Sequence, residues 1–137
     1  MAITFTVVGI PIAKGRPKFW SRGNCRGTYT PPKTREYEKK VREQALPHRP
    51  NKPIEAPIAL FLKFYMPIPK STPKKYLEDM LSGKIRPTKN PDTDNLIKNL
   101  TDPLNTIFWK DDSQVVSLHA EKFYGDTPRT EVLIETL

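Results

Sequence analysis

Four aspartates and one lysine gather in two short stretches of this sequence. Asp92, Asp94 and Lys98 lie in the first, and Asp111 and Asp112 follow about a dozen residues later. In an extended segment, residues two apart point to the same side, so Asp92 and Asp94 can direct two carboxylates to one point. Lys98 follows Asp94 by four residues, which brings its ammonium to the same face of a helix. With an acid from the second stretch, at least three carboxylates can converge.

An all-oxygen cluster of this kind predicts a hard divalent cation. Neighbouring carboxylates repel one another unless a cation neutralises them. Because no histidine or cysteine lies in the pattern, Mg²⁺ is favoured over zinc, and Mn²⁺ can substitute for it. Magnesium keeps waters that can act as nucleophiles, and Lys98 adds positive charge where a phosphoryl transition state becomes more negative. The residues therefore predict metal-assisted hydrolysis of a phosphodiester.

Each acid also has a purely structural interpretation. Asp94 can cap a helix, Asp92 can form an Asx-turn, and Asp111 with Asp112 can make a polar loop. Spacing alone leaves the structural role and the metal site both open.

Other kinds of site are less well supported. A calcium-binding EF-hand loop fails, because Leu96 stands where an oxygen ligand is needed and Ile97 where glycine is needed. Cys25 is the single cysteine, so it has no intrachain disulfide partner and no second thiol for a zinc pair. The two histidines give little reason to expect a catalytic thiol.

Charge is divided unevenly along the 137 residues, which we expect to form a single domain. The net charge is +8, made of +13 over residues 1–91 and −5 over residues 92–137. A polyanion held by the first part would be presented to the acids of the second, and nucleic acid is the natural candidate. The alternative is a solvated basic surface that only maintains solubility.

The chain shows no apolar run of the roughly 20 residues that span a bilayer, and its first residues lack the features of a secretory signal. We therefore expect a cytoplasmic protein with no membrane partner and no organic cofactor.

The segment at 13–30 predicts a β-ribbon or an ordered loop. Its basic residues alternate with Phe19, Trp20 and Tyr29, so it can lay aromatic faces and cations along a sugar-phosphate backbone. The alternative is a hairpin whose aromatic side chains cover the core. The candidate DNA-binding residues are Lys14, Arg16, Lys18, Arg22, Arg26 and, before the first acidic stretch, Lys89.

Hydrophobic periodicity predicts an α+β fold: a small mixed sheet with a central two-sided strand, a C-terminal hairpin, and two or three helices packed on it. The predicted strands are 3–8, 58–66, 114–123 and 129–136, the last two joined by a turn at 125–128. The predicted helices run from a cap at Thr34 to about Leu46, from 73 to 82 with a stop at Gly83, and onward from Asp94 with Leu96, Leu100 and Leu104 facing the core.

Three motifs in one order resemble the signature of the RusA-type Holliday junction resolvases. They are D-x-D-N-L-x-K at 92–98, Asp102 with Leu104 and Asn105, and W-x-D-D-x-Q-V at 109–115. Segments 14–19 and 29–31 also resemble a branch of that family common in prophages. Pro103 departs from the pattern, and we expect it to kink the helix and free the Asn99 carbonyl.

The resemblance implies a small α+β fold and a homodimer that cleaves four-way DNA junctions with Mg²⁺ during recombination and repair. It implies that Asp92, Asp94 and Asp112 bind the metal and are catalytic, together with an essential Lys98. Adjacent residues point apart, so one of Asp111 and Asp112 should bind metal while the other supports the loop.

Symmetry supports the dimer independently. A junction is resolved by paired cuts and one chain offers one carboxylate cluster, so a two-fold pair supplies the second. Strand 58–66 and the terminal hairpin are the candidate interfaces.

The leading hypothesis is thus a Mg²⁺-dependent, structure-selective endodeoxyribonuclease. The alternatives are a non-catalytic basic DNA-binding module, and a hydrolase of small phosphates. The last is disfavoured because a small anion needs no such basic surface and the sequence has no glycine-rich phosphate loop.

Overall fold

A four-stranded mixed sheet organises the chain in the computed structural model, which describes residues 1–137. The strands of the whole structure are β1 (Ala2–Val8), β2 (Lys18–Arg22), β3 (Cys25–Tyr29), β4 (Ile58–Pro67), β5 (Val115–Gly125) and β6 (Arg129–Thr136). The helices are α1 (Pro32–Ala45), α2 (Lys74–Leu81) and α3 (Thr93–Thr101), with 3₁₀ turns at Leu46–His48, Asp102–Leu104 and Asp112–Gln114. The sheet order is β1-β6-β4-β5, and β2 with β3 forms a separate two-stranded ribbon. The predicted α+β class is confirmed.

Strand β4 is the centre of the sheet. It pairs in parallel with β5 and antiparallel with β6, and β6 pairs antiparallel with β1. The predicted C-terminal pair β5 and β6 is present, joined by the short connection at 126–128, but β4 lies between the two strands and pairs with both. The parallel β4–β5 pair needs a crossover connection, and α2 and α3 supply it.

The core lies on one face of this sheet. Leu60, Leu62 and Phe64 of β4 are buried there together with Leu96 and Leu100 of α3. The central position predicted for β4 from its two apolar faces is confirmed. Its second face is covered only in part: Tyr65 stacks on Phe123 and lies under Arg129, whereas Phe61 is 36% exposed.

Helix α1 begins earlier than the sequence predicts. Pro31 is its N-cap residue and Thr34 is buried in the first turn, so the prediction that Thr34 caps the helix is wrong. The Thr34 hydroxyl oxygen instead accepts a hydrogen bond of 3.0 Å from the backbone N–H of Gly15. The predicted inner face is confirmed, because Tyr37, Val41 and Ala45 are buried.

The other two helices begin close to the predicted residues, but α3 ends before Leu104, which was predicted on its inner face and is buried in the following 3₁₀ turn. Helix α2 begins one residue after Pro73, and Gly83, with a φ of 87°, follows it. Helix α3 ends at Thr101, and Pro103 lies in the 3₁₀ turn that follows. Proline therefore marks the end of the helix rather than a kink within it, because a missing N–H is tolerated in a first turn. None of these helices combines the length and the apolar character needed to cross a bilayer.

Candidate active site

The N-terminal end of α3 presents Asp94 and Lys98. The helix begins at Thr93, with Asp92 as its N-cap residue in an extended conformation, so the predicted position of Asp94 in the first turn is confirmed. A carboxylate there is favoured by the exposed backbone N–H groups and the positive end of the helix dipole. Lys98 lies one turn further along on the same side, and both side chains are exposed.

Strand β5 fixes the segment that leads into this helix. Lys122 Nζ donates hydrogen bonds of 2.9 Å to the Lys89 carbonyl and 2.8 Å to the Pro91 carbonyl. The entry to α3 is therefore tied to the sheet. Lys122 is 33 residues from Lys89 and 31 from Pro91, so no local sequence pattern predicts these hydrogen bonds.

The two adjacent aspartates before β5 have different roles in the turn. The Asp111 side chain accepts from the backbone N–H of Ser113 at 3.0 Å and from the Ser113 hydroxyl, while Gln114 Oε1 accepts from the Asp111 N–H at 2.8 Å. This is a reciprocal capping box. The Ser113 hydroxyl, followed by its N–H, holds the pKa of Asp111 below the ordinary aspartate value of 3.8. Asp111 supports the loop, which leaves Asp112 for the candidate site.

A buried residue fixes the orientation of the Asp112 side chain. Trp109 has no exposed surface, and its Nε1 donates to Asp112 Oδ1 over 3.0 Å. Gln114 Nε2 donates to the Ile54 carbonyl at 2.6 Å and the Ala56 carbonyl at 3.0 Å, which ties the turn to the chain before β4. Asp112 is thus held at one oxygen by a rigid donor, while its carboxylate stays exposed.

Asp94, Lys98, Asp102 and Asp112 line one open cleft of about 240 Å³. The other lining residues are Leu60, Ile97, Thr101, Val115 and Leu118. The structure therefore brings together three of the four residues predicted as catalytic, from α3 and from the turn before β5. It adds Asp102, a member of the sequence motif to which no role was assigned.

Asp92 is placed differently. It is exposed at the start of α3 and does not line the cleft. No three Asp, Glu, His or Cys side chains of the chain lie close enough together to hold a metal ion as a group. The joint metal site of Asp92, Asp94 and Asp112 therefore stays a prediction. The donors in the cleft are carboxylate oxygens, which suit Mg²⁺, an ion commonly bound by one or two carboxylates plus substrate phosphate and water.

Lys14 reaches this cleft from the N-terminal segment and forms an ion pair with Asp102. The side chains are 27% and 23% exposed, so the pair is largely shielded from water. Two more contacts hold the segment against α3: the Lys14 N–H donates to the Asn95 carbonyl at 3.4 Å, and Asn99 Nδ2 donates to the Ile12 carbonyl at 2.7 Å. Lys14, predicted to bind DNA, has an acidic partner within the chain.

The remaining candidate DNA-binding residues lie in two places, and all are exposed. Lys18, Arg22 and Arg26 belong to the β2–β3 ribbon, and Arg16 lies two residues before it. Lys89 lies beside the entry to α3, where its carbonyl accepts from Lys122. None of the five forms an ion pair within the chain, so their charges are available to an external anion.

Comparison with known proteins gives two matches. The family model described as "Endodeoxyribonuclease RusA" matches residues 9–135. A protein of Bacillus subtilis (strain 168) with the name "Uncharacterized protein YqaN" is 42% identical over 134 residues, which cover 96% of this chain and 94% of that protein. The matched residues of the family model include the whole cleft and the whole ribbon.

Proposed function

This chain belongs to the RusA family of endodeoxyribonucleases, and we propose from that premise that it resolves four-way DNA junctions by Mg²⁺-dependent cleavage of phosphodiester bonds, in recombination and repair. The observation that carries the proposal is the shared cleft of Asp94, Lys98 and Asp112. The cleft is attached, through Lys14, to the basic N-terminal segment of the chain.

The cleft residues have distinct parts in this proposal. Asp94 and Asp112, which come from separate elements, would hold the cation, and Asp92 would be a further ligand. Mg²⁺, when bound, supplies positive charge to the phosphate and lowers the pKa of water enough for attack at neutral pH. Lys98 donates to a phosphate oxygen and offsets the negative charge that develops there. Trp109 keeps the Asp112 carboxylate in one orientation through its Nε1 donor.

The substrate is held by cations outside the cleft. Arg16, Lys18, Arg22 and Arg26 contact phosphates along one DNA arm, and Lys89 contacts a phosphate close to the cleft. Such contacts release counterions, so binding should weaken steeply as salt is raised. Lys14 remains with Asp102 and positions the N-terminal segment against α3.

A homodimer supplies the second cut. The open face of the sheet carries Phe61 at its centre, with Leu133 beside it, and a shallow depression of about 330 Å³ lies there. A two-fold pair formed on this face buries the apolar side chains that the monomer leaves in water. It places one cleft in each subunit, which matches the symmetry of a junction.

The test uses the purified full chain with a synthetic four-way junction, a flap and a linear duplex, in Mg²⁺ and in EDTA. We expect cleavage of the junction in Mg²⁺ and none in EDTA. Asp94→Asn, Asp112→Asn and Asp92→Asn should each abolish cleavage while junction binding survives, because lost carboxylates reduce repulsion with phosphate. Asp126→Asn, an exposed aspartate in the β5–β6 connection, is the matched control and should cleave normally.

Full cleavage by Asp94→Asn or Asp112→Asn would refute the cleft as the active site. Tight, salt-sensitive binding without metal-dependent products would favour the alternative of a non-catalytic DNA-binding module.

A further inference from the structure

The β2–β3 ribbon stands apart from the rest of the molecule. Its two strands pair from Lys18 with Tyr29 to Arg22 with Cys25, and every residue in them except Gly27 is exposed. A lone two-stranded hairpin is marginally stable in water. An exposed ribbon that buries almost nothing in the core is suited to contact something outside the chain.

Phe19 is the most exposed large apolar side chain of the chain. It is 85% exposed, against 45% for its neighbour Trp20. The two rings project from opposite faces of the ribbon, because successive residues of a strand alternate. The indole of Trp20 packs directly on Gly27 of the opposite strand. A Cβ added to Gly27 would lie 2.6 Å from Trp20 Cε2. Phe19 has no such cover.

The face around Phe19 is cationic and polar. The strand register places Thr28 opposite Phe19, and Arg26 opposite Ser21, on this same face. Residues 1–35 contain seven lysines and arginines and no aspartate or glutamate. The exposed ring of Phe19 thus lies beside the guanidinium of Arg26, which has no acidic partner. This surface complements a polyanion that also carries flat apolar rings. Nucleic-acid bases next to phosphates have that chemistry.

The segment that leads into the ribbon is anchored beside the cleft. Gly15, at its base, donates to Thr34 of α1, and Lys14 forms its ion pair with Asp102 in the cleft wall. A Cβ on Gly15 would lie 2.9 Å from Thr34 Oγ1, so the chain approaches α1 closely here. DNA bound by the ribbon would therefore lie on a segment whose base is anchored to the wall of the cleft.

We propose that Phe19 stacks on a DNA base that has left the helical stack at a branch point, so that the ribbon selects branched over linear DNA. This inference rests on the proposed function for DNA as the substrate, and it adds how the substrate is chosen. In linear duplex the bases are stacked on one another and expose only their edges in the grooves. No base face is free for Phe19, so the ribbon's cations bind phosphates without it. At a branch a base is unstacked at lower cost, and the free ring can cover it.

The test measures binding in EDTA, so it needs no cleavage. A four-way junction with 2-aminopurine at the branch point is compared with a linear duplex of the same sequence. We expect Phe19→Ala to weaken junction binding about tenfold, within the range for base stacking on an aromatic ring. Duplex binding should change by no more than about twofold, because phosphate contacts carry it.

Two further variants at the same position distinguish stacking from simple apolar burial. Phe19→Trp should retain junction binding and the wild-type change in 2-aminopurine fluorescence on binding, whereas Phe19→Leu should lose both as Phe19→Ala does. Leu81→Ala removes another exposed apolar side chain, on α2, and should behave as the wild type. Phe19 is so exposed that none of its variants should affect folding.

An unchanged junction-to-duplex ratio in Phe19→Ala would overturn the inference, and so would wild-type behaviour of Phe19→Leu. Either result would leave the cleavage test of the cleft untouched. Conversely, suppose that the wild-type chain cuts no DNA while Phe19→Ala still lowers the junction-to-duplex binding ratio. That result would overturn the nuclease proposal and support stacking by Phe19.

Discussion

The indole nitrogen of Trp109 donates to Asp112 Oδ1 over 3.0 Å, and the donor ring is wholly buried. A rigid core residue therefore sets the direction of a carboxylate that is itself exposed. Because the donor belongs to the core, a substitution that shifts Trp109 should also change the orientation of Asp112 in the cleft.

Trp109→Phe should reduce activity by more than its effect on folding explains. The substitution removes the hydrogen bond to Asp112 and leaves a small cavity, so we expect a stability loss of roughly 1–3 kcal/mol, below the 3–5 kcal/mol typical of truncation to alanine. With Asp112 free to rotate, the Mg²⁺ concentration for half-maximal cleavage should rise. Titration of Mg²⁺ at a temperature where the variant is folded measures this.

Phe108→Leu is the matched control for that experiment. Phe108 precedes Trp109 in the chain and is equally buried, but its side chain has no group that could donate to Asp112. It should lower stability and leave the Mg²⁺ dependence unchanged. Equal Mg²⁺ dependence in the two variants would contradict a positioning role for Trp109.

Lys14 should contribute to structure rather than to phosphate binding. Its charge is held by Asp102, so Lys14→Met should leave the salt dependence of duplex binding unchanged, whereas Arg26→Met should reduce the slope by about one phosphate contact. Fluorescence anisotropy over a range of salt concentrations gives both slopes. Equal losses of slope would show that Lys14 leaves Asp102 to bind DNA.

The Lys14–Asp102 pair can also be tested in the absence of DNA. We expect the single variants Lys14→Met and Asp102→Asn to be non-additive in urea unfolding, with a coupling of about 1 kcal/mol for a partly shielded pair. Additive single effects would show that the pair does not hold the N-terminal segment.

Asp111 should contribute acid-sensitive stability. Hydrogen bonds from Ser113 hold its pKa below the ordinary value of 3.8. Since the folded-state pKa is the lower one, the contribution is present above the ordinary value and is lost as the pH falls through the folded-state value. Asp111→Asn should therefore lower Tm at neutral pH, and the difference from wild type should shrink below pH 3.8. A difference that stays constant in acid would contradict this.

Phe61→Glu should convert the proposed dimer to a monomer. Phe61 lies at the centre of the open sheet face, where the substitution removes an apolar contact and places a carboxylate in the proposed interface, which costs desolvation energy. Sedimentation equilibrium measures the change, and Leu81→Glu on α2 is a control of similar kind. A wild-type chain that is monomeric at all concentrations, or a dimer unaffected by Phe61→Glu, would refute this interface.

The local parts of the site could be predicted from the sequence. The spacing of Asp94 and Lys98 and the apolar positions at Leu96 and Leu100 describe one short helix, and the structure confirms its start and buried face. The roles of Asp111 and Asp112 were also encoded, since Gln114 three residues after Asp111 completes a capping box. The capping-box pattern is local and can be read from the sequence alone.

The distant relationships could not be predicted. Lys14 and Asp102 are 88 residues apart, and no periodicity in either segment points to the other. The same holds for the position of β4 between β5 and β6, because a short connection normally joins neighbouring strands. Both depend on how the whole sheet assembles.

Strand β1 is made first but pairs only with β6, where Ala2 lies opposite Glu135. A ribosome must therefore release residues 129–136 before the N-terminal strand has any partner, and until then the growing polypeptide exposes the edges of both β1 and β4. The N-terminal strand thus depends on the last strand of the sheet, and chains that stop before β6 should be substrates for chaperones and proteases.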